Sequence, residues 1–252
     1  LFHRNRVPMR KAGAGTMSIN SEAGLYRLMS WLSPSFPVGA YSYSHGIEYA
    51  FEAGDVTDPE SLRIWIEGIL KFGSGRMDAV LFRSGWEAIA HHDDSLMDWA
   101  IETADTLRPT KEMALESSAQ GAAFIETLRK SWPQEGLDRF DSLHVQLSRT
   151  TAYPVAVGVA ASLFEIELEK ALAAYLHAFI SNLVSAGVRM IPLGQTAGQQ
   201  IISSLENAVI ETAHTIAASS MSELQTNIGS AAVMVDWSSM KHETQYTRIF
   251  RS

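Results

Sequence analysis

The sequence contains no cysteine. That one absence excludes disulfides, thiolate metal sites, iron–sulfur clusters and thiol nucleophiles. Uninterrupted apolar runs of about 18 residues, the length needed to cross a bilayer, are missing too. So are the usual catalytic signatures: there is no phosphate loop ending in GK[ST], no G-x-G-x-x-G after a strand, no H-E-x-x-H and no G-x-S-x-G elbow. Basic charge is scarce, with 20 Lys and Arg against 28 Asp and Glu and a formal net charge of −8. Four of the basic residues, Arg4, Arg6, Arg10 and Lys11, fall within the first sixteen positions, which hold no acid. Removing those four from the 20 leaves 16 against 28, a balance of −12. Nonspecific nucleic-acid binding needs a basic face and is disfavoured. A basic partner surface, or a cation in transit, suits this balance better.

What is present is helical. Thr57-Asp58-Pro59-Glu60 reads as a helix start, either with Asp58 as cap and Pro59 at the first position or with Thr57 and Glu60 as a capping box. Leu62, Trp65, Ile66, Ile69 and Leu70 then form one apolar stripe at helical spacing. The same period runs through 168–188, through Ile201 to Ala213, and through Leu137 to Leu147. Tyr153 to Ala160 is the one stretch that would pass for a buried strand; its small residues and Pro154 suit a close-packed helix with proline in the first turn. Hydrophobic content of 46% and no linker between residues 20 and 230 predict one all-α domain of about ten helices, spanning 17–234. Residues 1–16 read as a disordered basic leader or upstream extension, without the apolar core of a secretory signal. The default compartment is the cytoplasm. Residues 235–252 are polar yet rich in Trp, Met, Tyr, Ile and Phe, so they are expected to dock on the domain or on a partner.

Several groups invite a chemical reading. His91-His92-Asp93-Asp94 holds metal-ligand types, but adjacent residues seldom converge on one ion, and a solvated turn between helices is the simpler expectation. Gly194 to Gln199 is glycine-bearing without a phosphate-loop lysine, and reads as a helix boundary after Pro192. His144, His177 and His214 stand singly on helices. Glu112 with Glu116, and Glu165, Glu167 and Glu169, are acidic pairs that read as exposed helix faces with mild repulsion. In "WLSPSFPVGAYSYSHG" (31–46), Ser44 and His45 do not make a catalytic pair by adjacency. Pro34, Pro37 and Gly39 instead predict a fixed corner. Ser42 or Ser44 would cap the next helix, and Tyr41 and Tyr43 would be left for an interface.

Three segments in order carry a resemblance. "SPSFPVGAYSYSHGIEYA" (33–50), "LVSAGVRMIPLGQTAGQ" (183–199) and "SSMKHETQYTRIFRS" (238–252) resemble motifs of the urease accessory protein UreF family, and Glu112 to Gly121 is a looser fourth match. The resemblance implies an all-α protein that dimerises and is not an enzyme. It implies a scaffold that joins the accessory protein UreD (also called UreH) and the GTPase UreG, gates the GTPase, and so delivers nickel to apo-urease. No cofactor is held tightly; nickel in transit is the only metal implied. By position it assigns partner contacts to Tyr41, Tyr43, Ser44, His45 and Glu48, to Arg189, Gln195 and Gln199, and to His242, Glu243, Tyr246, Arg248 and Arg251. Ile47, Trp237 and the Lys111-Glu112-Met113 segment depart from the family's pattern. Two other classes stay open: an all-α serine hydrolase using Ser44, and a metallochaperone that itself binds nickel.

Overall fold

Asp58 shows how directly local chemistry sets this fold. Its carboxylate accepts the backbone N–H groups of Glu60 and Ser61 at 2.9 Å each, while the Ser61 hydroxyl accepts the Asp58 N–H at 3.1 Å. With Pro59 in the first turn, this capping box launches the helix Pro59–Phe72. Of the two starts foreseen at this site, the Asp58 cap is the one adopted. The stripe Leu62, Ile66, Ile69 and Leu70 is fully buried below it.

The structure, a computed structural model, describes residues 19–252. Among the described residues there are thirteen α-helices, one 3-10 turn and no strand. In chain order they are α1 (Ile19–Trp31), α2 (Ile47–Ala53), α3 (Pro59–Phe72), α4 (Ser74–Ala90), α5 (Asp94–Thr106), α6 (Lys111–Ser131) and α7 (Glu135–Leu147). They continue with α8 (Tyr153–Leu163), α9 (Leu168–Met190), α10 (Gln195–Ser204), α11 (Glu206–Ala218), α12 (Met221–Thr226) and α13 (Val233–His242). The fold is all-α, with more and shorter helices than the ten expected. The expected basic leader, 1–16, lies outside the described residues. Helical structure runs across the 234/235 boundary as α13, and the segment after it, 243–252, holds no helix.

Helix α8 is the innermost element: Pro154 through Ala161 are all buried, and α4, α5, α6, α7 and α9 pack around it. The stretch that resembled a strand is therefore a helix because small residues let neighbours close on every side. At Gly158 a Cβ would stand 2.0 Å from the Phe82 carbonyl oxygen, so only glycine permits the α4–α8 approach. Helix α9 is long and apolar enough to cross a membrane by length and composition, although no uninterrupted apolar run of that length was found. Here it is a core helix against α2, α3, α4, α8, α10 and α11. The stripe from Ile201 to Ala213 does not form one helix. Leu205 is buried, its N–H is shared between the Ile201 and Ile202 carbonyls at 3.1 and 3.2 Å, and the tightened turn divides α10 from α11.

At one end of the core Trp31 meets Phe124, Trp132 and Phe164 edge-on, with centroids 6.2, 6.1 and 5.3 Å away. Phe36 joins them, 5.5 Å from Phe124, and pins the chain between α1 and α2 to the body. Arg83 is buried beside α11. Its guanidinium donates to the carbonyls of Ile216 and Ser219 and pairs with Glu87, so a cation satisfies the C-terminal end of that helix.

Candidate functional site

The corner foreseen from Pro34, Pro37 and Gly39 exists, and it ends in unusual backbone. Gly39 has φ 76° and precedes the 3-10 turn Ala40–Ser42. His45 and Gly46 then take φ 51° and 76° in succession. A non-glycine residue there costs about 1 kcal/mol or more, which the surroundings must offset. Gly46 is the N-cap of α2, in place of the serine cap expected. The Ser44 hydroxyl reaches the Glu48 N–H only at 3.4 Å, and donates instead to the Ser252 carbonyl. Glycine is required at 46 because α13 crosses here, and a Cβ would stand 2.6 Å from the Ser239 nitrogen.

That crossing brings the chain's end back onto its beginning. The Ser44 N–H donates to the Ser252 carbonyl at 2.7 Å, and the Arg251 N–H to the Ser42 carbonyl at 2.8 Å. Glu48, 4% exposed, takes the Ile249 N–H on one oxygen at 2.7 Å, and the Phe250 N–H at 2.9 Å on the other. The second oxygen also faces His242 Nε2 at 3.0 Å. On the far side of that ring, Nδ1 faces Glu112 at 2.6 Å, and the other Glu112 oxygen takes Arg248 at 2.5 Å. Nearby, His45 Nε2 lies 3.0 Å from Glu116, which also accepts from Gln120 and from the Ser252 hydroxyl. Burial alone would lower the His45 imidazole. The Glu116 carboxylate, helped by Asp78 and opposed by Arg108, more than offsets it, and the pKa is raised.

Glu112 and Glu116 thus correct the expectation of an exposed, mildly repelling face. They point inward from α6, and cationic or donor groups arriving from the tail and the corner offset their mutual repulsion. Asp78 and Arg108 form a further buried pair at 2.7 Å, with Tyr175 donating to Asp78 at 3.0 Å. These residues had no motif to mark them. For Glu112 and Glu116 the available signal was the looser fourth match. By contrast, His91 to Asp94 are exposed at the turn between α4 and α5, where Asp93 caps α5 through the Leu96 N–H.

The thirteen residues assigned by resemblance divide into two groups. Tyr43, Ser44, His45, Glu48 and His242 are buried, and the last four spend their polar atoms within the chain. Tyr41, Arg189, Gln195, Gln199, Tyr246, Arg248 and Arg251 are exposed, and half-buried Glu243 accepts the Lys111 N–H at 2.8 Å. Arg189 ties three segments together. It donates to the Tyr41 carbonyl at 2.7 Å and to the Ser185 carbonyl at 3.2 Å, and its guanidinium lies 4.4 Å from the Phe250 ring centroid. Gln195 and Gln199 sit apart on α10, and among the described residues no hydrogen bond joins them to this assembly. Around the tail Trp237, Met240, Tyr246 and Ile249 are exposed as well, an apolar rim on an otherwise polar face.

A hydrolase would need more than this geometry provides. Ser44 is buried and faces a carbonyl, not an imidazole. Ser74, His45 and Glu116 do fall in the order hydroxyl, imidazole, acid, at 3.2 and 3.0 Å. Ser74 is buried and does not line the adjoining cavity, whose volume of about 70 Å³ is far below the roughly 300 Å³ of a small substrate pocket. For metal binding, both ring nitrogens of His45 and His242 are already engaged with Ser74 and carboxylates.

Comparison with known proteins gives a consistent answer. The UreF family model matches residues 56–206. A urease accessory protein UreF of Rhodopseudomonas palustris (strain HaA2) is 45% identical over 244 residues, 97% of this chain and 100% of the relative. One from Bradyrhizobium diazoefficiens is 46% identical, covering 95% of this chain and 96% of its own length. One from Magnetococcus marinus is 40% identical, covering 93% and 100%. The family model spans α3 to α10, whereas the corner and the tail lie outside it.

Proposed function

The chain belongs to the urease accessory protein UreF family, and on that premise we propose that it serves urease maturation as a non-enzymatic scaffold. It joins a UreD (UreH) protein and the GTPase UreG for GTP-dependent nickel insertion into apo-urease, and gates the GTPase by holding it in the assembly. The observation that supports this most is the convergence at Arg189. Three segments far apart in sequence meet there, the corner and the tail through buried carboxylates and Arg189 through carbonyl and ring contacts, and Tyr41, Tyr246 and Arg251 are left exposed on one surface. Tyr41, Arg189, Tyr246, Arg248 and Arg251 are the proposed partner contacts, with Gln195 and Gln199 as a separate patch on α10. Tyr43, Ser44, His45, Glu48 and His242 act through the shape they impose, and Glu243 positions the start of α6. Nickel is cargo here, passed within the complex. The working form is a homodimer in the cytoplasm.

The outward-facing arginines suit acidic or carbonyl-rich partner surfaces, and the Trp237, Met240 and Ile249 rim supplies an apolar centre for such contacts. The purified chain mixed with UreD and UreG should elute as one species. Separate elution of all three would defeat the scaffold reading. Labelling of Ser44 or Ser74 by a fluorophosphonate probe would favour the hydrolase instead.

A further inference from the structure

His242 is fully buried between two carboxylates on different helices, Glu112 of α6 and Glu48 of α2, at 2.6 and 3.0 Å. A neutral imidazole has one N–H, so whichever tautomer it adopts, one nitrogen lone pair would face a carboxylate oxygen. Glu112 can hold the missing proton on the oxygen that faces Nδ1, but that too needs one proton beyond a neutral ring and two carboxylates. The Glu48 oxygens are committed to the Ile249 and Phe250 N–H groups, and the free Glu112 oxygen to Arg248. Both contacts are therefore made only when Glu48, His242 and Glu112 together hold that one extra proton.

We infer that His242 is a proton-operated latch for residues 243–252. With that proton held between the ring and its two carboxylates, it clamps α2, α6 and the tail together. When that proton is lost, a buried carboxylate is left facing a lone pair, and the tail, whose Glu48 and Arg248 bonds hang on those same two carboxylates, loses its clamp and undocks. The groups facing the ring are Glu48 from α2, Glu112 from α6 and, through Glu112, Arg248 from the tail itself. His45 belongs to the neighbouring cluster with Glu116, Asp78, Arg108 and Ser74, and its contacts survive loss of a proton, since Ser74 can donate to Nδ1 while Nε2–H donates to Glu116. The latch is thus one residue. Because Tyr246, Arg248 and Arg251 ride on the tail, proton release would change the surface offered to partners; that consequence rests on the proposed function, whereas the latch does not.

The absence of cysteine makes a direct test practical, since exposed Thr247→Cys gives a single thiol for a spin label on the full chain. Electron paramagnetic resonance from pH 5.5 to 9.5 should show an immobilised label at the acid end. The ratio of mobile to immobile label should then rise by up to tenfold per pH unit, the slope of one proton, while far-UV circular dichroism stays constant. Glu112→Gln supplies an amide donor to His242 Nδ1 and an oxygen to Arg248, so it should keep the tail docked at every pH. His242→Gln should abolish the pH response. A line shape unchanged with pH in the parent, or an unaltered pH profile in Glu112→Gln, would overturn the latch. The measurement uses no partner, so a failure of assembly cannot be mistaken for a failure of the latch.

Discussion

Replacing Glu48 by Ala should free the tail without unfolding the domain. Glu48 accepts three hydrogen bonds from groups after residue 241, at 2.7, 2.9 and 3.0 Å, in a site 4% exposed. Each stranded buried donor costs about 1–3 kcal/mol, and breaking a buried charged pair about 3–5 kcal/mol. Two donors and one pair sum to about 5–11 kcal/mol, comparable to the whole stability of a modest domain, and 4 kcal/mol is a low figure for the tail's share. The tail can escape most of it by undocking and hydrating those groups, so the loss should appear locally rather than globally. At about 1.4 kcal/mol per decade, 4 kcal/mol corresponds to roughly a thousandfold faster amide exchange at Ile249, Phe250 and Ser44. Hydrogen exchange followed by mass spectrometry on peptides covering 243–252 and 42–48 reads this directly, with α8 peptides as an internal reference. Unchanged protection of the 249–250 amides would refute the role given to Glu48, and equal loss of protection in α8 would refute the separation of tail from core.

Gly158→Ala places a Cβ 2.0 Å from the Phe82 carbonyl oxygen and should cost about 3 kcal/mol, seen as a lower midpoint in urea unfolding. Arg189→Ala removes two hydrogen bonds and a ring contact at the surface, so stability should fall by no more than about 1 kcal/mol while co-elution with partners weakens measurably. The His45 pair should make stability pH-dependent. Because its folded pKa is raised above the ordinary 6.5, the contribution is complete below that value and is lost as pH rises through the folded one. Urea midpoints from pH 5.5 to 9 should show this fall, and His45→Gln should make it shallower.

Much of the core was legible because it is written in local rules. The Asp58 cap, the stripes of α3, α7 and α9, and Pro154 in the first turn of α8 follow from spacing and backbone chemistry within a dozen residues. The break at Leu205 was not legible, since leucine favours helix and neither glycine nor proline marks the turn. Glu112 and Glu116 were misread for a deeper reason. Spacing of four places both on one face of α6, but it does not say that His242, Arg248 and Ser252 will return from about 130 residues away to cover that face. Likewise, "YSYSHG" read as a surface because its polar residues had no visible partners. Those partners lie in Glu116, Ser74 and the tail, so Ser44 and His45 are turned inward while Tyr41 stays exposed.

The most direct test of the scaffold account is nickel content in urease matured from purified components: apo-urease, UreD, UreG, nickel, bicarbonate and GTP, with and without this chain. The account predicts GTP-dependent nickel incorporation that needs the chain and falls toward the chain-free background with Arg189→Ala combined with Arg251→Ala. Equal nickel incorporation with the chain left out would contradict it.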